Sequence, residues 1–351
     1  MIGIEMVSFF GKTDLGKNRS NNEDAFIAQS IWDDQVVLAA AIDGVGGYDG
    51  GEIAASIAEQ TIVEYLSEFP NGERADLIKQ AVVEANNAIN SKRMEDGEHP
   101  NMSCVMTAIL VDIKNGFLHM AHIGDTRLYQ YSDGQIKKLS HDHSLVGYRE
   151  EIGELTEEEA MNHPQRNVIG RDAGSQFLDI NTDLVETASF PLQSDSTYLL
   201  CSDGLSDMLT SSMMVEILSS DSNTEEKVNA LIDKANEEGG KDNITVVLVD
   251  YKGPTTIVQE PHLAFREETY ASTKQEDEME NKQENQKEEK KEVIKEIYQE
   301  EKQVEKPEET AHLQQIISVK LTRLEIILSI IAGILFIIMG IMGFFLYLIV
   351  S

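Results

Sequence analysis

The sequence predicts an α+β domain with a largely antiparallel sheet core and helices packed outside it in pairs, followed by a polar linker and one apolar span. Three observations carry this expectation. Short runs rich in β-branched and aromatic residues recur between residues 25 and 249. Long helical patterns come two in succession between strands, whereas a doubly wound parallel sheet needs one helix after each strand. Composition then changes abruptly near residue 252, where Gly253-Pro254 ends the last apolar run and Glu, Lys and Gln take over.

In chain order, strands are expected around Ala25–Gln29, Val36–Ile42, Cys104–Val111, Phe117–Ile123, Leu128–Tyr131, Leu178–Val185, Thr197–Cys201 and Ile244–Val249. The first helix pair is expected over 51–68 and 74–93. Ile53, Ile57, Ile62 and Leu66 recur at helical spacing in one, Leu77, Ala81, Ala85 and Ile89 in the other. A second pair is expected over 212–219 and 225–237. The polar stretch of about 141–175 reads as an inserted flap, in which Thr156 followed by Glu159 forms a capping box opening a short helix.

The domain boundaries expected are 1–252 for the folded domain, 253–322 for the linker and 324–350 for a transmembrane helix. The linker, with runs such as Gln283–Glu292, is too polar to bury a core and reads as disordered or solvated helix. Ile326 to Val350 holds no charged residue, and at about 1.5 Å per residue these 25 residues reach about 37 Å, enough to cross a hydrocarbon core of about 30 Å. Lys320 and Arg323 precede the span and no secretory signal opens the chain, so the N-terminal side is expected in the cytosol. The expectation is a single-pass, tail-anchored protein of the cell membrane.

A formal net charge of −33 over 351 residues argues against nucleic acid as a partner. The two cysteines, Cys104 and Cys201, each lie within an apolar run and read as buried reduced thiols.

Chemistry is suggested by four acidic clusters far apart in the chain. They are Asn22-Glu23-Asp24, Asp43-Gly44, Ser202-Asp203-Gly204 and Lys241-Asp242-Asn243. Three of them adjoin apolar runs that read as strands, and charges sit at strand ends when something converges there. Oxygen donors of this kind suit Mg²⁺ or Mn²⁺, whereas Zn²⁺ would call for His or Cys. Taken singly, each Asp also fits a turn or cap, for which Asp before Gly is common.

Over residues 8–250 these motifs resemble the metal-dependent serine/threonine phosphatases of the bacterial PP2C (PPM-type) family. The resemblance rests on Gly16-Lys17-Asn18-Arg19 leading to Asn22-Glu23-Asp24, then Asp43-Gly44-Val45-Gly46-Gly47. It continues with Gly124-Asp125-Thr126-Arg127, Leu139-Ser140-His141-Asp142-His143-Ser144, Ser202-Asp203-Gly204-Leu205-Ser206-Asp207 and Asp242-Asn243-Ile244-Thr245. No single motif suffices, but six in the family's order make coincidence remote. The resemblance implies a four-layer αββα sandwich with two Mn²⁺ or Mg²⁺ ions at one end, and a third, weaker ion in bacterial members.

It further implies that Asp43 bridges the two ions, with the Gly44 carbonyl on one. Asp203 and Asp242 would complete one site, and Glu23 with Asp24 the other. Asp125, Asp203 and Asp207 would hold the third ion, and Arg19 would grip the phosphate. The implied reaction is hydrolysis of phosphoserine and phosphothreonine by a metal-bridged hydroxide, on phosphorylated proteins that a Ser/Thr kinase produces. Val45, Thr126 and Tyr48 depart from the family's usual Met, Ser and His. The last leaves the acid for the leaving group unassigned. Two rival functions are a catalytically dead, membrane-tethered scaffold that binds phosphoproteins, and an adaptor acting through its acidic linker. Arg127 reads as a structural ion-pair partner, and His141, His143 and His163 as residues that stabilise the flap or face solvent.

Overall fold

The computed structural model describes residues 6–46, 50–95 and 97–256. The span expected over 324–350 and all of the linker expected over 253–322 beyond Thr256 lie outside the described residues. Among the described residues no helix is long and apolar enough to cross a membrane.

Two five-stranded sheets, antiparallel throughout, form the centre. One has the order β1 (Val7–Asp14), β10 (Ile244–Tyr251), β9 (Ser196–Cys201), β6 (Arg127–Ser132), β7 (Gln135–Lys138). The other has β2 (Asp24–Ile31), β3 (Val36–Val45), β4 (Ser103–Asp112), β5 (Phe117–Ile123), β8 (Glu186–Pro191). Alternation along the strands sorts their side chains into layers. Val37, Ala39 and Ala41 of β3 meet Val247 and Val249 of β10 between the sheets. Leu38, Ala40 and Ile42 point the other way, against α1 (Gly50–Glu68) and α2 (Arg74–Glu95). Val246 and Leu248 of β10 pack against α6 (Ser211–Leu218) and α7 (Thr224–Glu237). Both faces of each central strand are therefore covered, which is why these strands read as unbroken apolar runs. The result is the αββα order of layers expected, and both cysteines are free and buried.

Among the strands, three differ from the sequence expectation. β1 was not expected: its apolar residues end at Phe10, and Gly11-Lys12-Thr13-Asp14 conceals the strand, yet full pairing with β10 from Val7 to Asp14 holds it. β7 is a short edge strand with no apolar alternation to mark it. The segment 178–185 is not a strand, and the strand lies just after it, at Glu186–Pro191. Leu178 and Val185 are buried as anchors, but Asp179, Asn181 and Asp183 between them form turns, and the Asn181 N–H is taken by Asp179 Oδ1 at 2.9 Å.

Asparagines of α2 hold the run that leads into this segment, residues 174–178. Asn86 accepts from Gly174 N–H at 2.7 Å and donates to Gln176 O at 2.9 Å. Asn87 accepts from Leu178 N–H and donates to Leu178 O, at 2.9 and 3.0 Å. Asn90 and Arg93 both donate to Gly174 O, at 3.0 and 3.3 Å. The outgoing half of the flap holds two short helices, α3 (Leu145–Glu151) and α4 (Glu157–Met161). The capping box at Thr156 and Glu159 is formed as expected.

Candidate metal centre

Strand register alone gathers the predicted acidic residues. Asp24 at the start of β2 faces Asp43 near the end of β3. Cys201, last in β9, pairs with Val246 of β10, so Asp203 emerges beside the Asp242-Asn243 loop that precedes β10. Cys201 also pairs with Arg127 of β6, which brings Asp125 to the same end. Asp203 opens the short helix α5 (Asp203–Ser206) and Asp207 closes it. Asp125, Asp203 and Asp207 line one small cavity with Arg166 of the flap.

The carboxylates crowd one another. Burial, then the charges of Asp24, Asp203, Asp125 and Asp242, hold Asp43 well above the ordinary carboxylate range. Burial, then Asp125, Asp207 and Asp242, does the same to Asp203. Burial pushes Asp24 and Asp125 up to about 7, against the opposing hydroxyls of Thr245 and Ser202 at the first and with the help of Asp142 at the second. Burial also raises Asp207, with Arg166 opposing it through a short ion pair. Arg19 meets Asp242 at 2.7 Å, and its side chain is 47% exposed.

Several residues support this cluster in roles that the sequence does not signal. Asn243 accepts from Glu23 N–H at 2.9 Å and donates to Leu15 O and Asn21 O, both at 3.0 Å, so it staples the β1–β2 loop in place. Ser202 and Thr245 hydroxyls both donate to Asp24 Oδ2, at 2.9 and 2.7 Å. Thr13 lies 2.8 Å from the Thr245 hydroxyl. The single Thr245 hydroxyl proton is thus shared between Asp24 Oδ2 and Thr13 Oγ1. The motif positions Ser202, Asn243 and Thr245 were quoted in the sequence, but their roles are legible only once β1, β2 and β10 are side by side.

Two glycines fit by close approach. A Cβ on Gly44 would lie 2.3 Å from Gly51 O and 2.4 Å from Glu23 O, and one on Gly204 would lie 1.9 Å from Asn243 O. The Gly44 N–H donates to Glu23 O at 3.1 Å, so the Glu23 and Asp43 loops are in direct backbone contact. An all-oxygen donor set, crowded enough to raise its own pKa values, fits hard divalent cations, whose charge would relieve the repulsion.

Of the departures noted in the sequence, Thr126 is fully buried and its hydroxyl lies 2.8 Å from that of Thr107. Tyr48 lies outside the described residues. Arg127 is an ion-pair residue, as expected: its Nε and Nη2 donate to Asp142 Oδ2 at 2.9 and 2.7 Å, and Nη2 donates to Glu150 at 2.8 Å. Lys138 donates to the other Asp142 oxygen at 3.2 Å. Burial alone would raise Asp142, but Arg127 and Lys138 hold it below the ordinary range.

Fold and donor set define a class: an αββα sandwich whose one end presents oxygen ligands suited to hard cations. The family model for Protein phosphatase 2C matches residues 13–244. The serine/threonine phosphatase stp of Listeria monocytogenes is 32% identical over 244 residues, covering 68% of this chain and 94% of the relative. Among solved structures, the Mycobacterium tuberculosis serine/threonine phosphatase PstP/Ppp superposes with a TM-score of 0.62 at 30% identity, covering 71% of this chain and 100% of that one. The catalytic domain of PstP in complex with two manganese ions superposes with a TM-score of 0.60 at 29% identity, covering 70% of this chain and 98% of that one. The chain belongs to the protein phosphatase 2C family, a family of protein serine/threonine phosphatases.

Proposed function

We propose that this chain hydrolyses phosphoserine and phosphothreonine on proteins in a reaction that depends on Mn²⁺ or Mg²⁺. The observation that carries the reading is the convergence of Asp24, Asp43, Asp125, Asp203, Asp207 and Asp242 on one end of the sandwich, where burial first, and then neighbouring carboxylates, raise the pKa values of Asp43 and Asp203. The manganese ions of the PstP catalytic domain support it. Asp43 would help hold both ions and the Gly44 carbonyl one of them, with Asp203 and Asp242 completing one site and Glu23 and Asp24 the other. Asp125, Asp203 and Asp207 would hold a third. Cations bound there supply charge neutralisation at the phosphoryl oxygens and acidify water.

The chain's own residues do the rest. Arg19 stands at the mouth, oriented by Asp242 through one nitrogen, with donors left over for phosphoryl oxygens in the planar fork that suits phosphate. Ser202, Thr245 and Asn243 keep the Asp24 carboxylate and the Glu23 backbone from relaxing away from one another. In the net reaction water gives a new O–P bond, the ester O–P bond breaks, and one water proton ends on the serine or threonine hydroxyl. The test is Mn²⁺-dependent release of phosphate from a phosphothreonine peptide, with Asp203→Asn beside the unmodified chain. Turnover that needs metal and is lost in the variant supports the reading. No turnover with Mn²⁺ demonstrably bound would favour the phosphoprotein-binding scaffold.

Anchoring is part of the same proposal and rests on sequence alone. The uncharged run Ile326–Val350 would hold the enzyme at the cell membrane with the phosphatase domain, residues 1–252, in the cytosol. The polar linker, 253–322, would let that domain reach substrates near the bilayer and raise their effective concentration. Its substrates there would be the products of a Ser/Thr kinase. Fractionation of cells expressing the full chain, beside a chain ending at residue 322, tests it. Full-length protein released by carbonate washing would sink the anchor.

A further inference from the structure

Outside the carboxylate cluster, His122, His143 and Glu186 bring one ligand atom each within 4.8 Å of one another, close enough to share a cation. Their hydrogen bonds assign them differently. His143 Nδ1 lies 3.0 Å from the Gly124 N–H, which can only donate, so Nδ1 carries no proton and the neutral ring holds its proton on Nε2. A cation on Nε2 would have to strip that proton or break the bond to Gly124. His122 is committed too, with Nε2 3.0 Å from His141 O and Nδ1 2.8 Å from Thr107 Oγ1. Both imidazoles are building parts, and what they build adjoins Asp125.

Gly124 turns the chain from β5 into Asp125 with a φ of +109°, and a Cβ there would lie 2.2 Å from Val105. Glycine's freedom makes such a turn accessible but does not hold it. Both of its backbone polar groups go to one residue: the N–H to His143 Nδ1, and the C=O to the His143 N–H at 2.7 Å. The His143 carbonyl in turn accepts from Gly170 N–H at 2.7 Å, and the neighbouring residue Ser144 bridges Ile169 and caps α3. The ring rests 4.8 Å from that of buried His122. One residue, by its ring at Gly124 N–H and by its backbone at Gly124 O and Gly170 N–H, therefore ties together the turn that presents Asp125 and the outgoing and returning legs of the flap.

We propose that His143 is a positioning residue for this reaction, fixing the Asp125 carboxylate through Gly124 and coupling it to the flap. The inference rests on the reading that Asp125 holds the weakest-bound cation with Asp203 and Asp207. Asn and Gln separate the relevant atoms, since an Asn oxygen falls near the place of Nδ1 and a Gln oxygen near that of Nε2. With the Nδ1 acceptor gone, the Gly124 N–H is left without its partner in a site where Asp125 is only 8% exposed.

The experiment counts bound Mn²⁺ by electron paramagnetic resonance on the full chain and on His143→Asn, His143→Gln and Asp125→Asn, with kcat and KM measured across Mn²⁺ concentration. Expected is a weakest site that loosens about 10-fold in His143→Gln and by less than about 3-fold in His143→Asn, with the tighter ions unchanged in both. The kcat of His143→Gln should recover at high Mn²⁺ while KM moves little. Asp125→Asn should lose the weakest site altogether. If Asp125→Asn keeps that site, the reading of Asp125 fails and takes the inference with it. If Asp125→Asn loses the site but His143→Gln binds like the unmodified chain, Asp125 stands and the positioning role is overturned. Equal losses in His143→Asn and His143→Gln would reduce His143 to a space-filling residue and overturn it as well.

Discussion

Two charge clusters lie side by side at one end of this fold, on either side of the short stretch from Asp125 to Arg127, and they are built in opposite ways. In the candidate metal centre, six aspartates and Glu23 meet two ion-paired guanidiniums, Arg19 and Arg166, and burial with mutual repulsion keeps most of the acids above their ordinary range. At the root of the flap, Arg127 and Lys138 meet Asp142 and Glu150, both Asp142 oxygens are bonded, and its pKa is held down. The first cluster is short of positive charge and awaits it from outside. The second is complete within the chain. An excess of one sign marks a place where binding is the purpose, whereas a balanced buried network marks a place where geometry is.

The largest effect should come from the centre of the unbalanced cluster. Asp43→Asn is expected to lower Mn²⁺-dependent phosphopeptide hydrolysis by about 10³-fold, some 4 kcal/mol. The same change should raise the melting temperature of the metal-free protein by a few degrees, because it removes a repelled carboxylate. A variant that loses activity and stability together would erase the contrast.

In the balanced cluster the trade should run the other way. Arg127→Met strands the Asp142 charge and is expected to cost about 3 kcal/mol, or about 6–12 °C in melting temperature, with or without Mn²⁺. An unchanged melting temperature would remove the claim that this network is structural.

Metal itself separates the clusters next. At free Mn²⁺ about 100 times its Kd, loading should add about 2.7 kcal/mol of stability in a thermal melt. Chelation should take that away, and Asp43→Asn should abolish the response. In the chelated protein the pH dependence has a definite sign. Asp24 and Asp125 titrate near 7 when folded, against 3.8 for the ordinary group. The folded state thus keeps protons that the unfolded chain has released, so stability falls as pH rises from about 4 through about 7. Melts in chelator at pH 5.5 and pH 8 should show the lower value at pH 8, and Mn²⁺ should flatten or reverse the slope.

The smallest effect belongs to the rim. A hydrogen bond to Glu186 raises the His141 pKa, and the side chain is 67% exposed. A raised histidine contributes stability below its unfolded pKa and loses it as pH climbs through the folded one. Solvent screening limits His141→Gln to about 0.5 kcal/mol at pH 5.5 and nothing at pH 8.5, measured by denaturant melts. A larger loss would make the rim part of the balanced network.

Most of the architecture was legible in the sequence because the inner strands are buried on both faces, so β3, β4, β9 and β10 announce themselves as apolar runs. The acidic clusters were legible because each motif is contiguous. What escaped has a common cause. β1 is defined by its pairing with β10, β7 by its place at a sheet edge, and the course of 174–178 by asparagines about ninety residues earlier, none of which leaves a local pattern. The same holds within the site. Asn243 stapling the Glu23 loop and His143 taking both polar groups of Gly124 join residues far apart in sequence, and only the folded backbone brings the partners together.

The asparagine row on α2 has a consequence for how this molecule can vary. Asn86, Asn87 and Asn90 grip residues 174–178 by backbone amides and carbonyls alone, while the side chains of Ser175, Gln176 and Phe177 project into solvent. A fastening that reads only the main chain is indifferent to what the fastened segment displays. Those three positions can change their chemistry generation after generation while the segment keeps its course, so the surface beside the flap is free to be rewritten without renegotiating the fold beneath it.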